Sequence, residues 1–319
     1  MIDISAADSR QEKVKIITQE LEKGIKNIFD SDNYKNYLSQ MAKLHNYSFS
    51  NTMLILMQKP DATMVAGFGS WKNNFNRIVN KGEKGIVILA PAPYKKYVDK
   101  KVLDKDGNPK LDSNGKEVFQ KEKIQIQAFK PAYVFDVSQT SGDPIPTIKV
   151  KELTSDVNDF DKIFDAIKSA SPVPILFENI TSGAKGYYSH AEKNIKVNYG
   201  MGELQTLKTA VHEVAHAMLH DNDYLKTTGE LKSRQTKEVE AESVAFTVCS
   251  YLGLPTDDYS FGYIAGWSKS NSVEDIKWSM DTIQQCSNRI ISELEARLTL
   301  QKKPETNTKS LQTPKSIAI

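Results

Sequence analysis

A chain of 319 residues that is 39% hydrophobic and 26% charged has a globular composition, which excludes a disordered polymer, and no apolar run approaches the roughly 20 residues needed to cross a bilayer. That length favours about two domains, each large enough to bury a core without disulfides. The net charge of +2 conceals an asymmetry: residues 1–150 carry 23 Lys and Arg against 17 Asp and Glu, the remainder 19 against 23, so a polyanionic partner is expected at the first half and not at the second.

In chain order, Val14, Ile17, Leu21, Ile25 and Ile28 recur at three- and four-residue spacing and predict an amphipathic helix within residues 10–29. Ser31 or Asp32 can cap a second helix carrying Tyr34, Tyr37, Leu38 and Met41. A third helical stretch, residues 52–57, stops before Pro60. From Ala62 the pattern turns to strands. Residues 64–66 read as a short strand, and Gly67-Phe-Gly-Ser-Trp71 as a Gly-rich aromatic turn leading to Lys72 and Arg77. Lys81-Gly-Glu-Lys84-Gly85 reads as a turn into a strand over 86–90. Residues 94–103 and 123–137 are expected to pair as one long exposed hairpin around the turn formers of 104–121.

Within 59–101 nine basic residues stand against three acidic ones, interleaved with Phe68, Trp71, Phe75, Tyr94 and Tyr97. This mixture suits single-stranded nucleic acid, whose bases stack on aromatic rings while Lys and Arg follow the phosphates. The competing reading makes Trp71 and Phe75 core and the lysines solvated. Residues 138–150, with Gly142, Pro144 and Pro146, read as a linker, giving domains at 1–140 and 150–300, and a polar tail at 301–319 is expected to be disordered.

The second half reads as a helix over 157–170, a strand over 173–178, and short strands over 184–189 and 194–198, so the chain as a whole is expected to be α+β. A strand lying just before a helix that binds metal can offer its edge to an extended peptide. In the next stretch, 203–220, Leu204, Leu207, Val211, Ala215, Met218 and Leu219 give an apolar face at helical spacing. Inside it His212, Glu213 and His216 spell HExxH. Residues four apart stack on one helix face, so two imidazoles can aim at one metal while Glu213 handles a bound water. The competing reading is a buried helix with two hydrogen-bonded histidines.

A catalytic zinc site usually holds three protein ligands. Residues 236–246 supply Glu238, Glu240 and Glu242, with Glu238 and Glu242 on one face and Glu240 pointing elsewhere. Glu238 is the expected third ligand, and Glu242 is expected to accept the outer ring N–H of a ligand histidine. The bland alternative for each is a solvated helix charge. His220 competes as a ligand, but an unbroken helix rises about 12 Å over eight residues, and no Gly bends the chain before it. His45 and His190 are expected to be structural, as are most of Tyr259, Tyr263 and Trp267, although a tyrosine near a metal can donate to an oxyanion. Ser272 can cap a last helix reaching to about residue 300. Cys249 and Cys286 fall in helical patterns and read as core residues. The first residues lack a basic start and apolar centre, so a cytoplasmic location is expected.

Taken together, Tyr47-Ser-Phe-Ser-Asn51, Asp61-Ala-Thr-Met-Val-Ala-Gly67, Trp71, Lys81-Gly-Glu-Lys-Gly-Ile86 and Leu89-Ala-Pro91 resemble the N-terminal domain of ArdC-type antirestriction proteins of mobile elements. His212-Glu-Val-Ala-His216, Glu238-Val-Glu-Ala-Glu242 and Tyr263-Ile-Ala-Gly-Trp267 are similar to the zincin-like domain of the same proteins, which in turn resembles the ImmA/IrrE metallopeptidases. The resemblance covers about residues 10–300. It implies a first domain that binds single-stranded DNA, with Trp71, Lys72, Arg77, Lys81 and Lys84 in its binding region. It also implies a second domain that binds Zn2+ through His212, His216 and Glu238, with Glu213 as base. The partners implied are single-stranded DNA and proteins bound to it, with no membrane.

Two functions compete. In the first the chain is a gluzincin-like hydrolase brought by its DNA-binding half to proteins on single strands. In the second it coats and protects DNA, and its metal is structural. A structural zinc site has no use for a base beside it, and this chain keeps Glu213, which favours the hydrolase.

Overall fold

The computed structural model describes residues 2–29, 31–103, 105, 107–145, 160–221, 232–256, 259 and 261–300. The tail at 301–319, the end of the expected linker and the first residues of the helix expected over 157–170 lie outside them. Among the described residues no helix is long and apolar enough to cross a membrane.

Three helices open the chain: α1 (Arg10–Lys26), α2 (Ser31–Lys43) and α3 (Phe49–Gln58). The Ser9 hydroxyl caps α1 by accepting from the Glu12 amide, and Ser48 caps α3 by accepting from Asn51. A small β-rich part follows, made of β1 (Val65–Gly67), α4 (Phe68–Phe75), β2 (Arg77–Val79), β3 (Ile86–Pro91), β4 (Tyr94–Lys101), β5 (Phe119–Ile126), β6 (Phe129–Asp136) and β7 (Thr140–Gly142).

Three expectations change here. Residues 123–137 do not run as one arm of a hairpin. β5 pairs with β4, but β6 turns away to lie between β1 and β3, with Val134 opposite Ile86 and Ala132 opposite Ile88. Burial explains the switch: Val134, Ile86 and Ile88 join Ile55 and Val65 in a small core, which the polar ribbon could not offer. The Gly67–Trp71 stretch is not a turn: Gly67 ends β1 and caps α4, which begins at Phe68. The linker also begins later than expected, because residues 137–139 form a 3-10 turn and β7 pairs with β2. Arg77 locks that pairing by donating to the Thr140 hydroxyl and carbonyl, both at 2.8 Å, and to the Gly142 carbonyl at 3.1 Å. Gly142 has φ +143°, and a Cβ there would stand 2.5 Å from the Asn76 carbonyl oxygen, so both backbone and space demand glycine.

The second half comprises α5 (Phe160–Ala170), β8 (Ile175–Glu178), β9 (Gly186–Ser189), β10 (Asn194–Asn198), α6 (Glu203–Leu219), α7 (Arg234–Tyr251), α8 (Ile264–Lys269) and α9 (Val273–Leu300). Among the described residues β10 is the central strand, parallel to β8 and antiparallel to β9, so β9 is an edge. α6 packs on β9 and β10 and, on its other side, against α7, which α9 supports in turn.

The helices of the first half join this core. α2 packs on α7 and α3 on α9, and one continuous apolar cluster runs from Ile17 and Leu38 to Val244 and Ile290. The Tyr34 hydroxyl lies 2.8 Å from Ser243 Oγ, and its ring meets Phe261 edge-on at 5.0 Å. The first-half helices thereby buttress the helix that carries Glu238.

Candidate metal centre

The α6 sequence fixes which face carries the chemistry. Leu207, Ala210, Val211, Val214 and Ala215 are buried, which leaves His212 and His216 half-buried and turned towards α7. Their Nε2 atoms lie 3.0 Å apart. Glu238 Oε2, from α7, is 3.7 Å from His212 Nε2 and 3.8 Å from His216 Nε2. Among the described residues these three form the group of His, Cys, Asp or Glu side chains able to share one ion. Tetrahedral ligands about 2.0–2.2 Å from zinc sit roughly 3.3 Å from each other, so the observed separations bracket what the ion requires.

Glu242 stands behind His212, with Oε2 3.4 Å from His212 Nδ1. Burial opposes a charge on His212, but the carboxylates of Glu242, Glu213 and Glu238 outweigh it and raise its pKa. Glu213 is buried at the floor between two recesses of about 330 and 340 Å³, one reaching Tyr188, His190 and Arg234, the other Lys185, Lys208 and Tyr259. Burial pushes its carboxyl above the ordinary value, against the pull of His212 and His216. Gly186, on the edge strand, lies so close that a Cβ there would be 2.9 Å from the Lys196 carbonyl and 3.4 Å from Glu213 Cγ. The edge of β9 therefore passes directly beside the candidate base.

His220 is not aimed at this centre. Its Nδ1 is 2.9 Å from His216 Nδ1 and its Nε2 is 2.8 Å from Glu240 Oε2. Glu240 is fully buried and also accepts from Lys232 at 2.9 Å and from the Ser279 hydroxyl at 2.8 Å. Burial pushes the His220 imidazole down to about 4 despite Glu240. Burial also works to raise Glu240, but the His220 hydrogen bond and the Lys232 ammonium outweigh it and hold that carboxyl low. Helical spacing correctly sends Glu240 away from Glu238, but it does not reveal this network. The signal available was a carboxylate between Val239 and Ala241 that an unpaired burial would forbid.

The other sequence-derived residues divide. Trp71 is fully buried, with Nε1 donating to the Phe135 carbonyl at 2.9 Å, so its ring has no face for a base. The guanidinium of Arg77 is spent on the β2–β7 turn. The burial of Trp71 fits the competing reading that makes it core, while Arg77 is half-buried and holds the turn. Lys72, Lys81 and Lys84 are exposed. His45 is buried with Nδ1 3.1 Å from the Ala42 carbonyl, while His190 stands against the Tyr188 ring at the rim of the first recess. Trp267 is core, Tyr259 lines the second recess, and Tyr263 lies close enough to Glu242 and Glu238 for their charge to add to burial in raising its pKa.

The β4–β5 ribbon carries Tyr97 and Lys95 of the aromatic and basic mixture and adds residues of β5 to them. Its register places Lys95, Tyr97, Asp99 and Lys101 on one face with Phe119, Lys121, Lys123 and Gln125, and all eight are exposed. Lys123 Nζ sits 5.7 Å from the Tyr97 ring centre.

Residues 7–135 match the family described as the N-terminal domain of anti-restriction factor ArdC, and residues 169–260 match the IrrE N-terminal-like domain of the M78 peptidases. An uncharacterized protein of Bacillus anthracis, pXO2-81, is 27% identical over 292 residues, which is 84% of this chain and 49% of that protein. The chain thus spans about half the length of the curated relative it matches. Two crystal structures of the antirestriction protein ArdC from plasmid R388 are similar. The metal-free one is 19% identical, covering 78% of this chain and 86% of that one, with a TM-score of 0.46. The Mn(II)-bound one is 17% identical, covering 79% and 84%, also with a TM-score of 0.46.

Proposed function

We propose, for a chain that belongs to the ArdC-type antirestriction proteins and joins their N-terminal domain to an IrrE-like peptidase domain, that it is a zinc-dependent peptidase acting on proteins that occupy single-stranded DNA. The observation that carries the hydrolytic half is the position of Glu213, buried at the floor of a cleft, beside a convergent His212, His216 and Glu238 and alongside the edge strand β9. His212, His216 and Glu238 would hold the metal, which when bound supplies Lewis acidity and a water of lowered pKa. Glu213 takes the proton of the attacking water and returns it to the leaving amine, a task suited to a carboxyl whose pKa burial has raised. The edge of β9 pairs with the backbone of an extended peptide and lays its scissile bond across Glu213.

The DNA-binding half rests on charge and exposure. The first half is net positive, Lys72, Lys81 and Lys84 are open to solvent, and the ribbon adds a face with four lysines and two exposed rings. Single strands fit that face better than duplex, because unstacked bases can lie on Tyr97 and Phe119 while lysines follow the phosphates.

Glu213→Gln tests the hydrolytic reading. The variant is expected to bind zinc as the parent chain does and to lose hydrolysis of casein or of single-strand-bound proteins by roughly 100-fold or more, the range for removing a general base. Hydrolysis at the parental rate would remove Glu213 from the role of base, whereas a parent chain that binds zinc and hydrolyses nothing would favour a DNA-coating protein whose metal is structural.

A further inference from the structure

We propose that His220 and Glu240 form a positioning relay that fixes the tautomer of His216, so that its Nε2 lone pair is presented to the metal. The inference rests on reading His216 as a ligand. Glu240 is the fully buried end of a chain of contacts that leads to His216. Its carboxylate faces the Lys232 ammonium at 2.9 Å, which can only donate, and the Ser279 hydroxyl at 2.8 Å. Glu240 is therefore an acceptor on every side, and His220 Nε2, 2.8 Å from the same oxygen, must carry a hydrogen. Lys232 already supplies the cation this carboxylate needs, so a second buried cation at His220 would go uncompensated. An imidazole with its one hydrogen on Nε2 has a lone pair on Nδ1. That lone pair faces His216 Nδ1 at 2.9 Å. Two lone pairs at that distance repel, so His216 carries its hydrogen on Nδ1. Its Nε2 is then bare: in the metal-free chain it accepts from His212 Nε2, 3.0 Å away, and a bound ion would take the place of that hydrogen beside Glu238. One buried carboxylate dictates each assignment in turn.

The two ligand histidines are thus held differently. His212 has a direct carboxylate, the half-exposed Glu242, at 3.4 Å. His216 has a two-step support running inward through α7 to Ser279 on α9, all of it out of water. Groups behind a ligand histidine typically alter metal affinity by about 10–100-fold.

Long-range proton–nitrogen correlation spectra of the metal-free full chain report the tautomer of each imidazole without metal or substrate. The relay predicts His216 in the Nδ1–H form and His220 in the Nε2–H form. The opposite tautomer at His216, or a doubly protonated His220, overturns it. Zinc affinity measured by chelator competition supplies the second arm. His220→Phe keeps a ring but loses both nitrogens, and is expected to bind zinc about 10–100-fold more weakly with an unchanged circular dichroism spectrum. In His220→Gln the amide can still accept from His216 and donate to Glu240, and most of that loss should be restored. Equal losses in the two variants would assign the effect to packing and overturn the relay. A parent chain that binds no zinc would sink the ligand reading itself, and the relay with it.

Discussion

The Trp71 indole has no face open to solvent, and its one N–H is spent on the Phe135 carbonyl. Replacing it by alanine should therefore read as a core deletion: a loss of about 3–5 kcal/mol in chemical denaturation, with single-strand affinity of the folded variant unchanged. A variant that kept its stability and lost DNA binding would restore Trp71 to the interface. Trp71 and Tyr97 look alike in a one-dimensional pattern of aromatics among lysines, and only the strand and helix geometry separates the buried ring from the exposed one. His212, Glu213, His216 and Glu238 were legible for a different reason. The helical period alone puts the two imidazoles on one face, and a zinc site needs a third ligand from somewhere. The His220–Glu240 pair was not legible, because its partners Lys232 and Ser279 come from separate elements.

At the level of elements, α6 and the edge strand β9 were predictable because apolar spacing and local turns define them. The ribbon was harder. An alternating pattern says that 123–137 is extended, but it does not say with what it pairs, and β6 leaves the hairpin because its apolar face finds Ile86 and Ile88. What remains in β4 and β5 is a two-stranded ribbon exposed on one whole face, an arrangement with little stability of its own to gain from Tyr97 and Phe119. Titrating labelled single- and double-stranded oligonucleotides across a salt series tests its role. The full chain should prefer single strands, with affinity falling steeply as salt rises. Tyr97→Ala with Phe119→Ala should weaken single-strand binding by about 1–3 kcal/mol per ring and leave the fold intact. Parental affinity in the double variant would remove the ribbon from the interface, and a change in oligomeric state would recast it as a contact between copies.

Across the whole molecule, the split into a positive first half and a negative second half was visible in the charge count, whereas the shared core was not. Composition reports partners poorly resolved in space, and it cannot show that α2 and α3 lean on α7 and α9. That packing is what holds Glu238 opposite α6: Tyr34 reaches Ser243 only five residues beyond Glu238 on the same helix. The basic first half and the candidate metal centre are thus joined through the helices that shape that centre. X-ray absorption at the zinc edge of the loaded full chain measures it directly. Two imidazoles and one carboxylate, with Zn–N and Zn–O distances of about 2.0–2.2 Å and one further oxygen, is the expected first coordination sphere. Three imidazoles would place His220 on the metal, break the arrangement around Glu240, and contradict the account.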